Sequence, residues 1–463
     1  MKNYKKIHFV GAGGIGVSAL AKWAILEGVG VSGSDAAEAE IVRELQKMGA
    51  KISIGHRKGN VPKDAELIIY SDAVPKNNPE RKNKLPQKSY FEALGEITKQ
   101  KKTIAISGTN GKSTTTAMIG KILIDAGMDP LVIVGSKSPA FSHGNFHYGK
   151  GEVMVLEACE HNAHMLNLAP AHIVLTNIEA DHLDFYKNLE NIIKAFKEYV
   201  SKTSVEGFVV YNADDKNTLR ITERTRGRRF NYGAHPGADF VFGNRQIKDG
   251  RQFLDLATKE ESIKFFLRLP GLFNVYNAMA ACAACYNLGV PLAKIAESLQ
   301  NFQGLWRRFE RVGEYNGAPV ISDYGHHPQA IAATLLAARE FYSERRIVLA
   351  FEPHQHHRTK ALFADFVRAF DGADIVILSE IYSVAGRASK GDKNISSKEL
   401  AEAIVGYWAT DEDSRERKIH ELYCAANLAE TEAKIRAIAE RDDIIIVMGA
   451  GDIYKVAERL ANP

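Results

Sequence analysis

The sequence predicts an α/β protein of three domains in series: an N-terminal Rossmann-like domain, a central P-loop ATPase-like sheet and a C-terminal Rossmann-like domain. Three observations carry this. Short apolar, β-branched runs alternate with helix-forming segments along the chain, the pattern of parallel sheets crossed over by helices. Two glycine turns, Gly11 to Gly16 and Gly108 to Gly111, each stand between a strand and a helix. The length, 463 residues, suits about three domains. The expected divisions are 1–99, 100–311 and 312–463.

Composition is that of an ordinary globular protein, 45% hydrophobic and 25% charged. A net charge of +4 is small for this size and favours neither a nucleic acid nor a membrane surface as partner. No run approaches the ~18 apolar residues of a membrane span. The apolar stretch after Lys6 is too short and too soon broken for a signal peptide. A cytoplasmic protein is expected, monomer or dimer left open. The basic run Arg224 to Arg229 reads as a solvated face. Cys282 and Cys285 form a C-x-x-C inside an alanine-rich helical stretch and read as buried small residues. Cys159 and Cys424 read as lone apolar positions.

In the first domain a strand, Ile7 to Val10, precedes Gly11-Ala12-Gly13-Gly14-Ile15-Gly16 and a helix from Val17 to about Gly28. This is G-x-G-x-x-G between strand and helix. The glycines let the backbone approach a pyrophosphate, and the helix N-terminus adds partial positive charge. The next strand, Val29 to Ser32, ends in Gly33-Ser34-Asp35, with Asp35 about where a ribose-binding acid belongs. NAD and a UDP-sugar both satisfy this pattern. A helix (Glu38 to Met48), a strand (Lys51 to Ile54) and a strand ending at Tyr70 follow. Ser71 opens the turn at that strand's carboxyl end, where open α/β sheets bind ligands.

The central domain opens with the strand Thr103 to Ile106, the turn Ser107-Gly108-Thr109-Asn110-Gly111 and a helix from Lys112 to Leu123. Turn N–H groups, the helix N-terminus and the Lys112 ammonium together suit a phosphate. The Ser113 hydroxyl is placed to reach a Mg²⁺ carried by the nucleotide. Ile106 stands where the first glycine of G-x-x-x-x-G-K-[ST] belongs, leaving the shorter G-T-x-G-K-S. The strand Val153 to Leu156 ends at Glu157, a carboxylate suited to a hard cation; Glu160 reads as metal-facing, solvated or capping. The strand His172 to Thr176 runs into Asn177 to Asp184. Here His182 is expected on a metal or phosphate, and Asp181 or Asp184 as a cap for the following helix. After the strand Val209 to Asn212, residues 224 to 268 read as a small antiparallel section. Asn274 and Asn277 share a helix face; N-capping explains one, while the pair suggests a nucleotide contact. Arg307 and Arg308, beside Trp306, suit clamping a phosphate and stacking on a base. A surface salt bridge to Glu310 is the alternative.

The last segment again alternates strand and helix. Strands are expected at Val320 to Ser322, Arg346 to Phe351, Ile375 to Leu378 and Ile444 to Met448, and a parallel sheet follows. Their polar clusters all lie at carboxyl ends: Asp323, Glu352 to Thr359, Glu380 and Gly449 to Asp452. His354, His356, His357 and Arg358 suit zinc less well than an anion, with Arg358 and a histidine on a carboxylate.

These residues resemble the Mur ligase family over essentially the whole chain. The matching stretches are HFVGAGGIG, SGSD, GTNGKSTTT, LEACE, TNIEADHLD, FNVYNA, RRFE, DYGHHP, PH…RT and GAGDI, in order. DYGHHP and GAGDI are similar to the branch that adds L-alanine. The resemblance implies that ATP phosphorylates the lactoyl carboxylate of UDP-N-acetylmuramate, and that the amine of L-alanine attacks the acyl phosphate. It implies ATP at Gly108, Thr109, Asn110, Gly111, Lys112, Ser113, Thr114, Asn274, Asn277, Arg308 and Asp323. Lys112, His182 and Arg308 would be catalytic. Ser113 and Glu157 would hold one Mg²⁺, and His182 would help hold a second. The UDP-sugar would lie at Gly11, Gly13, Gly14, Ile15, Gly16, Ser34, Asp35 and Ser71, and the amino-acid carboxylate at His354 and Arg358.

Three departures qualify the resemblance. GTNGKS replaces the usual GTHGKT, keeping lysine and hydroxyl. Ser322-Asp323 replaces paired aspartates. Gln355 replaces an arginine in PHQHHRTK, which opens glycine or L-serine as amino acids. Lys194 or Lys197 would be a candidate for carbamylation, a modification this branch generally lacks. An NAD-dependent dehydrogenase would explain Gly11 to Gly16 and Asp35, but not the central phosphate loop. A silent nucleotide-binding regulator would not need Lys112, Glu157 and His182 together.

Overall fold

The computed structural model describes residues 3–383, 395–410 and 421–462, the side chain of Asp184 excepted. Three sheets follow one another along the chain. The first contains β1 (Lys6–Val10), β2 (Gly30–Asp35), β3 (Lys51–Ile54), β4 (Leu67–Tyr70) and β5 (Gln87–Ser89), in the spatial order β3-β2-β1-β4-β5. All its pairings are parallel. The order reverses between β1 and β4. The crevice at their carboxyl ends is bounded by Gly11 after β1 and Ser71 after β4, and the Ser71 N–H bonds Val10 O at 2.9 Å.

The second sheet comprises β6 (Lys102–Ser107), β7 (Leu131–Ile133), β8 (Phe146–His147), β9 (Val153–Glu157), β10 (His172–Leu175), β11 (Phe208–Asn212), β12 (Arg228–Gly233), β13 (Phe240–Lys248), β14 (Arg251–Ala257) and β15 (Ser262–Leu267). Its order is β15-β14-β13-β12-β11-β10-β6-β9-β7-β8. β6 lies between β9 and β10, both parallel to it. The phosphate turn therefore sits where Glu157 and Asn177, at the two neighbouring strand ends, can reach it. β6 is wholly apolar or small over Thr103 to Ser107 and fully buried, as a central parallel strand must be.

The third sheet holds β16 (Glu310–Tyr315), β17 (Ala318–Asp323), β18 (Arg346–Phe351), β19 (Ile375–Ser379), β20 (Glu421–Ala425) and β21 (Asp443–Met448), in the order β16-β17-β21-β18-β19-β20. Helices pack on both faces, with separate apolar cores around Phe351, Phe366 and Phe370 and around Ile445, Val447 and Leu460.

By compactness, Met1–Arg245, Leu254–Phe266 and Phe273–Phe302 form one unit, and Gln246–Phe253, Leu267–Leu272 and Gln303–Pro463 another. Among the described residues no helix is long and apolar enough to cross a membrane.

Several expectations are corrected. The C-terminal sheet is not wholly parallel: β16 pairs antiparallel with β17, with a register shift between Arg311 and Gly313. The expected division at 311/312 falls inside β16. β12 extends the central sheet in parallel, on β11 and on β13, so the antiparallel section expected over residues 224 to 268 does not include it. Short strands β5 and β8 carry too few apolar residues to announce themselves, and β7 (LVI) and β20 (ELYCA), though apolar, are only three and five residues long. The helix Leu189–Val200 is capped by Asn188, whose side chain accepts from the Asn191 N–H. The Asp181 carboxylate instead accepts from His182 N–H, and the Asp184 side chain lies outside the described residues. Asn274 and Asn277 lie inside the helix Leu272–Tyr286, so neither caps it. Cys282 and Cys285 are buried there as expected, whereas Cys424 is exposed.

Candidate functional site

The phosphate turn is built by backbone geometry. Gly108 (φ 139°) and Gly111 (φ 83°) occupy conformations that L side chains avoid. A Cβ on Gly108 would collide with Thr176 Oγ1, and one on Gly111 with Asn277 Oδ1. The helix Lys112–Asp125 then starts, Thr115 N–H bonding Gly111 O at 2.9 Å. The N–H groups before it have no partner within the helix and project from its N-terminus, the arrangement that receives phosphate.

β10 supplies the other wall. Asn177 O accepts from Thr109 N–H, and Asn177 Oδ1 from Asn110 N–H, both at 2.9 Å. Thr176 Oγ1 donates to Asn110 O at 2.6 Å. Sequence reading passed over Asn177 and Thr176. The signal was present as two hydrogen-bonding side chains directly after a buried apolar strand.

Lys112 Nζ donates to Gly108 O (2.6 Å), Thr109 O (3.0 Å) and Glu160 Oε1 (2.9 Å). Burial alone would lower its pKa, but the negative charge of Glu160 outweighs this and raises it, so Lys112 is firmly an ammonium. Ser113 Oγ donates to Glu157 Oε2 at 3.0 Å, and Gly135 N–H donates to Glu157 Oε1. Glu160 is not solvated, and at the start of the turn His161–Asn167 its side chain makes no cap hydrogen bond. It is 4% exposed, and its Oε2 is buried without a hydrogen-bond partner. His182 stands beside it, Nε2 lying 3.7 Å from Glu160 Oε1 and 3.7 Å from Asp181 Oδ2. His182 has φ 51°, a strained conformation for a non-glycine residue, and its ring centroid is 4.6 Å from that of His161.

The donors fit a hard cation. A hydroxyl and a carboxylate adjoin, and a second buried carboxylate has an oxygen to spare. Among the described residues no group of three or more His, Cys, Asp or Glu converges by itself. A cation here would therefore use Ser113, Glu157 and oxygens of its nucleotide. Asn277 and Asn274 are both buried and linked, Asn277 Nδ2 donating to Asn274 Oδ1 at 3.2 Å. Asn277 thus meets the phosphate turn directly and Asn274 through it. Thr114 is buried in the helix's first turn.

In the first sheet, Gly13 N–H bonds Asp35 Oδ2 at 2.8 Å, so Asp35 secures the glycine turn as well as edging its crevice. Gly11 takes φ 78°, and a Cβ there would stand 2.9 Å from Ser71 Cβ. Gly16 abuts Tyr90: a Cβ on Gly16 would stand 2.7 Å from Tyr90 Cζ. Ser34 is the correction here: it is fully buried, and its hydroxyl donates to Glu80 Oε2 at 2.6 Å, which puts it beneath the site rather than on a ligand. Glu80 is the hub. It also takes His8 Nε2 at 3.0 Å, Asn60 Nδ2 at 2.8 Å and Arg57 N–H at 3.0 Å. Burial works against its charge, but these donors hold its pKa down to about 2.

In the C-terminal sheet the two arginines part company. Arg307 is buried, donates to Gly449 O and to Gly451 O (3.0 Å), and lies over the rings of Tyr454 (4.6 Å) and Tyr324 (4.9 Å). Glu310 accepts from its backbone N–H at 2.9 Å, so the expected surface salt bridge is a backbone contact. Arg308 is exposed, its guanidinium 5.0 Å from the Tyr324 ring. Asp323, expected on the nucleotide, already accepts from Phe309 N–H (2.8 Å) and Gly325 N–H (2.7 Å) and is buried. It fixes the backbone beside Arg308.

His354 and Arg358 are brought together, Arg358 Nη1 lying 3.3 Å from His354 Nδ1, and the His354 ring stacks on Tyr382 at 5.5 Å. His356 bonds Ile395 O at 3.0 Å and His357 is exposed, so the zinc alternative has no geometry. His326, 5.7 Å from His354 between ring centroids, is held neutral with its pKa near 3 by burial and then by Arg358. Gln355 takes φ 71° and gives its N–H to Tyr382 O at 2.9 Å.

Three sheets with ligand-type strand ends, the central one carrying a lysine phosphate turn backed by carboxylates, define a multidomain nucleotide-dependent ligase. The chain belongs to the Mur ligase family. Family models match it as Mur ligase family, catalytic domain (6–102), Mur ligase middle domain (106–285) and Mur ligase, glutamate ligase domain (307–451). It is 38% identical over 462 residues to the UDP-N-acetylmuramate–L-alanine ligase of Sulfurihydrogenibium sp., covering 99% of this chain and 97% of that one. It is 36% identical to the enzyme of the same name from Aquifex aeolicus, covering 98% and 96%. The crystal structure of a UDP-N-acetylmuramate–alanine ligase from Thermotoga maritima superposes with a TM-score of 0.82 at 29% identity over 98% of both chains. A murein peptide ligase from Psychrobacter arcticus shares the fold at TM-score 0.72 and 22% identity.

Proposed function

We propose that this protein ligates L-alanine to the lactoyl carboxylate of UDP-N-acetylmuramate with ATP, a cytoplasmic step in making peptidoglycan precursor. The observation that carries the chemistry is the grouping of Lys112, Ser113, Glu157, Glu160 and His182 around one glycine turn. The relatives' names supply the substrates.

A carboxylate is a poor electrophile, so one of its oxygens first takes the γ-phosphoryl group of ATP and ADP departs. The amine nitrogen of L-alanine then attacks the acyl carbon. Phosphate leaves, and the nitrogen loses its proton. Both steps bring anions together, and positive charge must offset this. Lys112 and the helix N-terminus receive the β- and γ-phosphates, together with Gly108 to Thr114. Ser113 and Glu157 would hold one Mg²⁺ and His182 would help hold a second; when bound, the cation would neutralise charge on the transferring group. Glu160 keeps Lys112 charged and aimed. Asn277, braced by Asn274, contacts ATP, and exposed Arg308 is assigned to its phosphates. Gly11, Gly13, Gly14, Ile15 and Gly16 take the pyrophosphate of the UDP-sugar, with Asp35 and Ser71 at the edges of that crevice. Arg358, with His354, takes the amino-acid carboxylate. A domain division near 99 accompanies this assignment.

The test is ADP release with UDP-N-acetylmuramate and a panel of L-alanine, glycine and L-serine. Turnover greatest with L-alanine is expected. No turnover with any of the three would refute the assignment, and a preference for glycine or L-serine would trace to Gln355.

A further inference from the structure

The loop from Val134 to Tyr148 is a strut between the two glycine turns, buried at Val134 and Asn145 and tied by hydrogen bonds at each end. Lys22, in the helix Ile15–Leu26 behind the Gly11 to Gly16 turn, is 2% exposed. Its ammonium donates three times, to Glu44 Oε2, His143 O and Asn145 Oδ1, each at 2.9 Å. That satisfies all three N–H groups, the condition for burying this charge. Asn145, also buried, returns its Nδ2 to Ile15 O at 2.6 Å and Ser18 Oγ at 3.2 Å, in the first turn of the same helix.

The Asn145 carbonyl accepts from Val134 N–H at 3.1 Å. Gly135, the next residue, donates to Glu157 Oε1, and the other oxygen of Glu157 takes Ser113 Oγ. A Cβ on Gly135 would lie 3.0 Å from both Glu157 oxygens, so the loop rests directly on the carboxylate. Lys137 ties the loop's outer side to Glu40 at 2.6 Å. The path from Ile15 to Glu157 thus runs through one asparagine side chain and two consecutive backbone N–H groups. A loop needed only for packing would not require a buried cation with three directed bonds.

We propose that Lys22 and Asn145 are positioning residues that couple occupancy of the pyrophosphate turn to the cation and nucleotide end of Glu157. The inference rests on the substrate assignment above. A pyrophosphate on the turn orders Ile15 and Ser18, the two acceptors of Asn145. With Asn145 fixed, Val134 and Gly135 are fixed, and Gly135 keeps Glu157 facing Ser113. Each ligand then favours the conformation the other needs, and the coupling is reciprocal.

The experiment is calorimetric binding of Mn²⁺ with a non-hydrolysable ATP analogue to the full chain, without and with saturating UDP-N-acetylmuramate. The wild type is expected to bind the analogue about tenfold tighter with the sugar nucleotide present, and the reverse titration to give the same factor. In Lys22→Met and Asn145→Ala the factor is expected to fall within twofold of one, while each ligand alone keeps its wild-type affinity within about threefold. Ser18→Ala, which removes a single acceptor, is expected to give an intermediate factor and carries the test should Lys22→Met fail to fold. Unchanged coupling in Asn145→Ala, or no coupling in the wild type when both ligands bind, overturns the strut. Failure of UDP-N-acetylmuramate to bind the wild type at all overturns the substrate assignment, and the strut's role falls with it.

Discussion

Asn277 Oδ1 occupies the space that a Cβ on Gly111 would need, and the same oxygen accepts from Thr115 Oγ1 at 3.3 Å. The phosphate turn is therefore shaped from outside as well as by its own glycines. Gly111→Ala places an alanine at φ 83°, costing about 1–2 kcal/mol in backbone strain before the collision is counted. We expect the variant to melt lower and to lose ATP-analogue affinity. Adding Asn277→Ala removes the collision but not the strain, so the double variant should regain part of the melting temperature and none of the affinity. Full recovery of both would mean that Asn277 only fills space.

Glu160 belongs to the reaction through Lys112. Glu160→Gln keeps the shape but removes the charge that holds the ammonium on station. A fall in kcat of about 10²-fold is expected, as for loss of one preorganised electrostatic contact, with KM for the sugar nucleotide little changed. ADP-release kinetics read both constants.

Burial, with Asp452 adding to it, pushes the pKa of Glu352 up to about 7 from an ordinary 4.5, against the smaller opposing pull of the Ile453 N–H. Between those values the folded chain holds a proton that the unfolded chain has released. Stability therefore falls as pH rises through this window, by about 3 kcal/mol in total for one group. Glu352→Gln removes that slope. Urea unfolding at pH 5 and pH 8 should show a smaller loss for the variant than for the wild type, the gain appearing at pH 8.

Arg307 and Arg308 separate structure from reaction. Arg307→Lys cannot reproduce two carbonyl contacts and stacking between Tyr324 and Tyr454, and should destabilise the C-terminal sheet by about 2–4 kcal/mol. Arg308→Ala, on an exposed side chain, should leave the melting temperature within about 1 °C and raise KM for ATP or lower kcat. The reverse pattern would interchange their assigned roles.

The sequence by itself determined the order of domains, the two glycine turns and the residue types at the strand ends. Each is a local property. A glycine at positive φ, an apolar β-branched run or a lysine opening a helix leaves its mark within a few residues. Lys112, Ser113, Glu157 and the pairing of His354 with Arg358 were legible for that reason. Tertiary structure decided which polar groups are spent on the protein itself. Ser34 looked like a ligand contact, yet it hydrogen-bonds Glu80 from 46 residues away. Asp323 is held by two backbone N–H groups, and Arg307 turned inward while Arg308 did not. It also decided that Asn177, Glu160, Lys22 and Asn145 matter, since their partners lie on other strands, helices and loops, 48 to 123 residues distant for the side-chain bonds that define them. Hydrogen bonds over such separations follow from strand order and register, which one-dimensional patterning does not encode.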